Sequence, residues 1–269
     1  MKINQQFSLK NHIILLTGAS GYLGAAMTEA IINADANIII TGRHVDSLEK
    51  LKGSFPASLS DKCHIFPGDV TEVTFCHSIF LYIKQKFGSL NGIVNNAYAG
   101  RVGTIEMIIP EDFDRAVRYN IISPFMLFKE LKPLLIEGVQ ISGSSSSVVN
   151  VASMYGCVSP DPSIYCNSGE NNPIHYGASK AGLIQMTRYL ACHMGSSNIR
   201  FNCISPGPFP NIEKECNIPN FYENLAKKVP MNRVGIPCEV AGPVVFLLSD
   251  AASYVNGINL PIDGGWTAW

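Results

Sequence analysis

The chain is short of charge. Lys and Arg number 20 and Asp and Glu 21 among 269 residues. The 15% total lies well under the quarter usual for soluble domains. Net charge is −1 and no basic run occurs, so nucleic-acid binding has no electrostatic support. Long apolar runs are missing too: no stretch approaches the roughly 20 residues of a membrane helix. Residues 1–10, MKINQQFSLK, lack the apolar core of a secretory signal. Eight cysteines are scattered without a Cys-x-x-Cys pair or a Cys/His spacing suited to zinc. No metal site is expected, and the thiols read as reduced, in a soluble cytoplasmic protein with no membrane partner.

What is present is apolar and periodic. Hydrophobic residues make up 46% of the chain, enough for a large core at this length. Short apolar runs at 12–17, 37–41, 63–67, 92–95, 147–151, 199–204 and 257–261 read as strands. Amphipathic stretches near 23–34, 46–52, 72–87, 111–137, 176–194 and 238–249 read as helices between them. Alternation with near-continuous apolar strands predicts an α/β fold, a Rossmann-type doubly wound parallel sheet of about seven strands with helices on both faces. No repeat or linker divides residues 1–269, so a single domain is expected. Ser142–Ser147 reads as a polar loop entering a strand.

Three motifs carry chemistry. The first strand runs into Thr17-Gly-Ala-Ser-Gly-Tyr-Leu-Gly24 and then a helix. Glycines at such a turn let the backbone approach a pyrophosphate, and the helix N-terminus offers free N–H groups and a favourable dipole. The second strand ends in Thr41-Gly42-Arg43. A carboxylate there would bind the ribose 2′-hydroxyl of NAD; an arginine suits a 2′-phosphate, so NADP(H) is favoured over NAD(H). Asp69, in Gly68-Asp69-Val70, can accept from an adenine amino group or cap the helix that follows. Third, Tyr176-Gly-Ala-Ser-Lys180 sets a phenol and an ammonium on one helix face. A nearby cation favours phenolate, so the pair can exchange a proton with an alcohol or carbonyl oxygen.

With Asn95-Asn-Ala97, Asn120, Ser153, Ser205-Pro-Gly207 and Asp263-Gly-Gly265 in the same order, nearly the whole chain resembles the compact branch of the short-chain dehydrogenase/reductase family. The resemblance implies NAD(P)(H)-dependent interconversion of a secondary alcohol and a ketone. Tyr176 would be general acid in reduction and general base in oxidation. Lys180 would lower its pKa and hold the nicotinamide ribose. Ser153 would hydrogen-bond the substrate oxygen, and Asn120 would complete a proton path through Lys180. Gly18, Ser20, Gly21, Tyr22, Leu23, Gly24, Arg43, Asp69, Val70, Asn96, Ala97, Pro206 and Gly207 would contact the dinucleotide. A homodimer or homotetramer is also implied.

The chain departs from that pattern in four places. Glycines at 18, 21 and 24 are spaced more like those of longer sugar-nucleotide epimerases and dehydratases. Tyr98 follows Asn-Asn-Ala where a glycine is usual, which would narrow the site. Asn211 stands where a threonine often meets the carboxamide. Ser153 and Tyr176 are separated more widely than usual, by a turn-rich polar insert near 157–175 that must arch over the site. The insert is similar to that of short-chain reductases linked to surface-polysaccharide and flagellin-glycan synthesis.

With a lid near 208–229, the insert would bring Tyr98, Arg101, Met154, Tyr155, Tyr165, Asn171, Asn172 and His175 to the substrate. That wall, with one cation, points to a polar, sugar-like or anionic substrate. Two other readings compete. An NAD-retaining epimerase or dehydratase is favoured only by the glycine spacing. A non-catalytic nucleotide-binding regulator would have to have lost a catalytic side chain, and none is lost.

Overall fold

The structure, a computed structural model, describes residues 3–166, 168–213 and 218–269. Seven strands form one sheet: β1 (Ile13–Thr17), β2 (Asn37–Thr41), β3 (Cys63–Ile65), β4 (Gly92–Asn95), β5 (Ser146–Val151), β6 (Ile199–Pro206) and β7 (Asn259–Ile262). Their order is β3-β2-β1-β4-β5-β6-β7, and every pairing is parallel. The chain starts in the middle, winds outward to β3, then crosses to β4 and winds out the other way. The reversal between β1 and β4 is the switch point, where a crevice opens at the strands' C-terminal ends.

The period-two alternation of strand side chains builds two cores. Ile14, Leu16, Ile38 and Ile40 face α1 (Tyr22–Asn33) and the helix Cys238–Leu248 through Met27, Ile31, Val244 and Leu247. Ile13, Leu15, Ile39 and Ile93 face the other way. They meet Ile79 and Ile83 of the helix Val73–Lys86 and Leu131 and Leu135 of the helix Ser123–Ser142. This is the expected doubly wound sheet, covered on both faces. Two ladder residues show how tightly it closes: a Cβ on Gly92 would stand 2.8 Å from Ile14 and 2.9 Å from Leu248.

The remaining helices that matter here, named after α1, are α2 (Val45–Gly53), α3 (Val73–Lys86), α4 (Pro110–Val117), α5 (Ser123–Ser142), α6 (Ile174–Met194), α7 (Phe221–Lys228) and α8 (Cys238–Leu248). The stretch expected as one helix over 111–137 is two helices joined by a π-helical turn, Arg118–Ile122. The extra residue of such a turn leaves the hydrophobic period almost unchanged, so the pattern does not register it. Helix α7, inside the expected lid, is also absent from the sequence analysis, as are short helices such as Ala57–Ser60.

A third apolar cluster lies off the sheet. Tyr155, just before the insert, and Ile164 and Tyr165 of the insert pack with Ile218, Leu225 and Val229 of the lid and with Trp266 near the C-terminus. The insert and lid therefore form one layer over the C-terminal end of β5 and β6. Residue 167 of the insert and residues 214–217 of the lid lie outside the described residues.

Candidate active site

Every element of the site leaves the C-terminal end of a strand. Beyond β1, Gly18 takes φ +65°, and a Cβ there would stand 2.8 Å from Ala97 Cα. A side chain at Gly24 would collide with the Gly18 carbonyl oxygen. The turn is stitched to β4: Asn96 N–H and Ala97 N–H donate to Thr17 Oγ1 at 3.0 and 3.1 Å, and Asn96 Nδ2 donates to Gly18 O at 2.9 Å. Thr17 and Asn96 thus hold the glycine turn in shape, a structural duty that the motif alone did not reveal.

A cavity of about 450 Å³ follows this turn. Gly18, Ser20, Gly21, Tyr22, Leu23 and Gly24 form one side; Arg43, Asp69, Val70, Asn96, Ala97 and Tyr98 form the other. Gly21 caps α1 without a side-chain hydrogen bond, so the helix's first N–H groups stay open to a ligand. Arg43 is exposed at its mouth and donates to Tyr119 Oη at 3.4 Å. The Cβ that Gly42 lacks would lie 3.7 Å from Ser20 Oγ. Asp69 accepts from Thr71 N at 2.9 Å, from Thr71 Oγ1, and from Tyr119 Oη at 3.2 Å. These bonds, with Arg43 beside it, hold its carboxyl below the ordinary value against the opposing pull of burial. It closes a turn before α3 rather than capping the helix, whose N-cap is Glu72. A glycine cradle that any Cβ would fill, open helix N–H groups and a cavity of this size fit a nicotinamide dinucleotide.

Beside the cradle stand Ser153, Tyr176, Lys180 and Asn120. Ser153 follows β5 and is buried; its Oγ accepts from Tyr155 N at 3.1 Å. Its hydroxyl also hydrogen-bonds the Tyr176 phenol. Burial raises Tyr176 above the ordinary tyrosine value, and the Ser153 hydrogen bond opposes that rise. Lys180, one turn on along α6, is buried and donates from Nζ to Val151 O at 2.6 Å. Desolvation draws it down to about 7. The expected lowering of the Tyr176 pKa by Lys180 is therefore not what dominates here. A lysine so desolvated carries a weakened positive charge, and burial of the phenol outweighs it. Lys180 Nζ lies 5.6 Å from the ring centres of both Tyr176 and Tyr98. Asn120 sits in the π-helical turn, buried, and donates through Nδ2 to Ser179 Oγ at 2.8 Å. Ser179 donates in turn to Tyr176 O at 2.9 Å. Asn120 thus ties to α6 through Ser179.

A second cavity, about 350 Å³, joins Ser153 and Tyr176 to the insert and lid. Tyr155, Tyr165, Phe221 and Leu225 line it, with Gly207, Pro208 and Phe209 on the cofactor side. A Cβ on Gly207 would stand 2.6 Å from Asp263 Cα, so only glycine follows Pro206 at the end of β6. A larger cavity, about 740 Å³, lies beyond the insert; it touches neither Ser153 nor Tyr176, so it does not hold the reacting groups.

Four expected substrate residues go to different places. Tyr155 lines the 350 Å³ cavity and bonds Tyr165 through their hydroxyls at 3.1 Å. Tyr98 does not line it; its ring packs edge-on against Tyr176 with centres 5.0 Å apart and faces the dinucleotide cavity. Tyr98 thus stands on the cofactor side of Tyr176. Arg101 is committed elsewhere: Nε donates to Asp112 Oδ2 at 2.8 Å and an NH2 to Met107 O. Asp112 also accepts from Ile109 N and so caps α4, which makes the pair a local clamp. His175 is buried, its ring against Phe113 of α4 at 5.8 Å, and burial lowers its pKa. Neither Arg101 nor His175 lines the 350 Å³ cavity. Asn211 accepts from Glu213 N at 3.1 Å. Phe221 and Glu170 line the cavity but were not singled out in the sequence; nothing local marked them, because packing across separate segments brings them there.

Fold and site together define an enzyme, an NAD(P)-dependent oxidoreductase working on alcohol and ketone groups. A family model described as enoyl-(acyl carrier protein) reductase matches residues 18–267, and the chain belongs to the short-chain dehydrogenase/reductase family. It is 32% identical over 260 residues to the 3-oxoacyl-[acyl-carrier-protein] reductase FabG of Thermotoga maritima, covering 96% of this chain and 98% of the relative. Among solved structures, the Pseudomonas aeruginosa RhlG/NADP active-site complex superposes with TM-score 0.86 at 27% identity, over 97% of this chain and 98% of the other. A short-chain dehydrogenase from Leptospira borgpetersenii with bound NAD+ superposes with TM-score 0.82 at 28% identity, over 99% of this chain and 96% of the other. The epimerase and regulator readings are not favoured by these relatives. Among the described residues no helix is long and apolar enough to cross a membrane.

Proposed function

We propose that this chain, working as one domain, reduces a ketone to a secondary alcohol or runs the reverse, with Tyr176 as the acid-base residue. The observation that carries the reading is the convergence of the Ser153 hydroxyl and the Tyr176 phenol on one cavity beside the glycine cradle. When bound, the dinucleotide supplies or accepts the hydride. Ser153 orients the substrate oxygen, and Tyr176 gives that oxygen a proton in reduction or removes it in oxidation, so no free alkoxide has to form. Lys180 and Asn120 position the phenol: Lys180 from the same helix face, Asn120 through Ser179. The raised pKa keeps Tyr176 protonated at neutral pH, which readies it as the acid of reduction; oxidation should quicken as pH rises.

NADP(H) is the favoured cofactor in this reading, through Arg43 and Ser20 at the mouth of the cradle. The seven described cysteines are all free, as in a reducing cytoplasm. Exposed Ile109, just before α4, and exposed Phe113, Phe125, Ile174 and Tyr189 on α4, α5 and α6 support a homodimer or homotetramer. The substrate is ring-like and carries no negative charge, and a sugar-like polyol fits. The anionic alternative loses its basis once Arg101 is paired with Asp112.

The test is absorbance at 340 nm with NADPH or NADH and a panel of neutral cyclic ketones and keto-sugars. Net oxidation of the cofactor with stoichiometric alcohol is expected. Substrate conversion without net absorbance change would mean internal hydride recycling and would overturn the reading.

A further inference from the structure

We propose that Glu170 and Asn172 select the substrate: the cavity takes a neutral or cationic ketone or alcohol bearing a hydroxyl or amino donor, and refuses carboxylates and phosphates. The proposal rests on the reaction proposed above and adds the substrate class.

Glu170 and Asn172 line the same cavity as Ser153 and Tyr176. Among the described residues around it, Glu170 is the one charged side chain. It is half-buried, and no described residue forms a hydrogen bond or ion pair with its carboxylate. Asn172 Oδ1 is buried and accepts from nothing. A buried acceptor without a donor is unfavourable, and a ligand N–H or O–H that meets it gains what the folded protein lacks. The lining of the space next to the reacting groups thus includes two residues whose acceptors lack donors, Glu170, which is half-buried, and Asn172, whose Oδ1 is buried.

Among the described residues, three cations that could reverse this preference are committed. Arg101 holds Asp112. Lys228 holds Asp161 at 2.5 Å. Lys180 donates to Val151 O. An anionic substrate would meet Glu170 without compensation, a repulsive element that discriminates as strongly as any attraction. Tyr155, Tyr165 and Phe221 supply apolar faces for a ring, and the same faces attract an ammonium. The arrangement is held in place: Gly103 N donates to Asn171 O at 3.0 Å, Glu170 N to Ser168 Oγ at 3.1 Å, and Tyr155 bonds Tyr165.

The test uses three ketones on one skeleton: 4-aminocyclohexanone, 4-hydroxycyclohexanone and 4-oxocyclohexanecarboxylate. Binding to the full chain with saturating NADP+ is read from Trp266 fluorescence, since Trp266 packs on Tyr155 with ring centres 6.4 Å apart. Turnover with NADPH is followed in parallel. The amine and the alcohol should bind at least about tenfold more tightly than the carboxylate. Glu170→Gln, which keeps the side chain's size, should bring the amine-to-carboxylate ratio within about threefold while leaving the alcohol nearly unchanged. Glu106→Gln, on the larger cavity beyond the insert, should leave all three alone.

Carboxylate binding as tight as amine binding, no selective binding at all, or a ratio unmoved by Glu170→Gln would overturn the proposal. Binding in the expected order without reduction would uphold this selectivity and remove only the redox reading. Reduction with no charge preference would do the reverse.

Discussion

The two ends of the cleft are built by different means. The dinucleotide end is backbone: Gly18, Gly24 and the N–H groups of Asn96 and Ala97, within a few residues of β1 and β4. The other end is side chains drawn from far apart, Tyr155 beside Tyr165 of the insert with Ile218, Leu225 and Val229 of the lid and Trp266. The first end needs particular backbone angles, which few residue types can supply. The second needs only a filled, apolar volume with a few polar groups in it, and many sequences meet that demand. A fold of this kind can therefore keep one cofactor turn while its substrate layer changes.

That contrast can be broken at the cofactor end first. Gly24→Val puts a branched side chain where even a Cβ meets the Gly18 carbonyl. Dinucleotide affinity should fall by about a hundredfold or more, measured by fluorescence titration, because backbone cannot yield as a flexible side chain would. The cluster between the two ends gives the next effect. Lys180 sits near 7 in the fold and at about 10.4 in the unfolded chain. Across that window the unfolded chain binds the extra proton, so stability rises with pH, by up to about 1.4 kcal/mol per unit. Below pH 7 that slope vanishes and the cost of a buried lysine stays constant. Lys180→Met should flatten the rise between pH 7 and 9, read from denaturant midpoints.

Arg43→Ala should weaken NADPH binding about tenfold and leave NADH nearly unchanged, read by paired titrations. Equal losses for both would refute the 2′-phosphate role. The smallest effect belongs to the insert–lid contact. Asp161, held down to about 2 chiefly by its hydrogen bond from Lys228, lies partly exposed at a 2.5 Å pair. Asp161→Asn should cost at most about 1 kcal/mol of stability. Its effect should appear in KM rather than kcat, because the pair joins the insert to α7 and touches no reacting group.

Legibility in the sequence follows the same division. Strands and flanking helices lie within a few residues of their expected bounds, because alternating apolar runs leave little choice in a sheet buried on both faces. Tyr176, Ser153 and the glycine turn line two cavities at the same end of the sheet, and Lys180 lies one turn along α6 from Tyr176. Three things stayed hidden. The π-helical turn that carries Asn120 adds one residue to an intact hydrophobic pattern. Helix α7 has eight residues, too few for periodicity to stand out. The destinations of Arg101 and His175 were set by Asp112 and Phe113 on α4, partners that no local pattern announces. The sequence also shows the i, i+4 spacing of Tyr176 and Lys180 but not the burial that draws Lys180 toward neutrality.

The measurement that bears most directly on the account is Tyr176→Phe, assayed for dinucleotide binding and for reduction of a ketone that the unaltered enzyme accepts. Removing one hydroxyl from a phenol held by Ser153 and α6 should leave dinucleotide affinity within about threefold. It should lower kcat by about a hundredfold or more, the usual contribution of a positioned acid-base group. Turnover retained within about tenfold, with binding intact, would contradict the account and move the proton transfer to another residue.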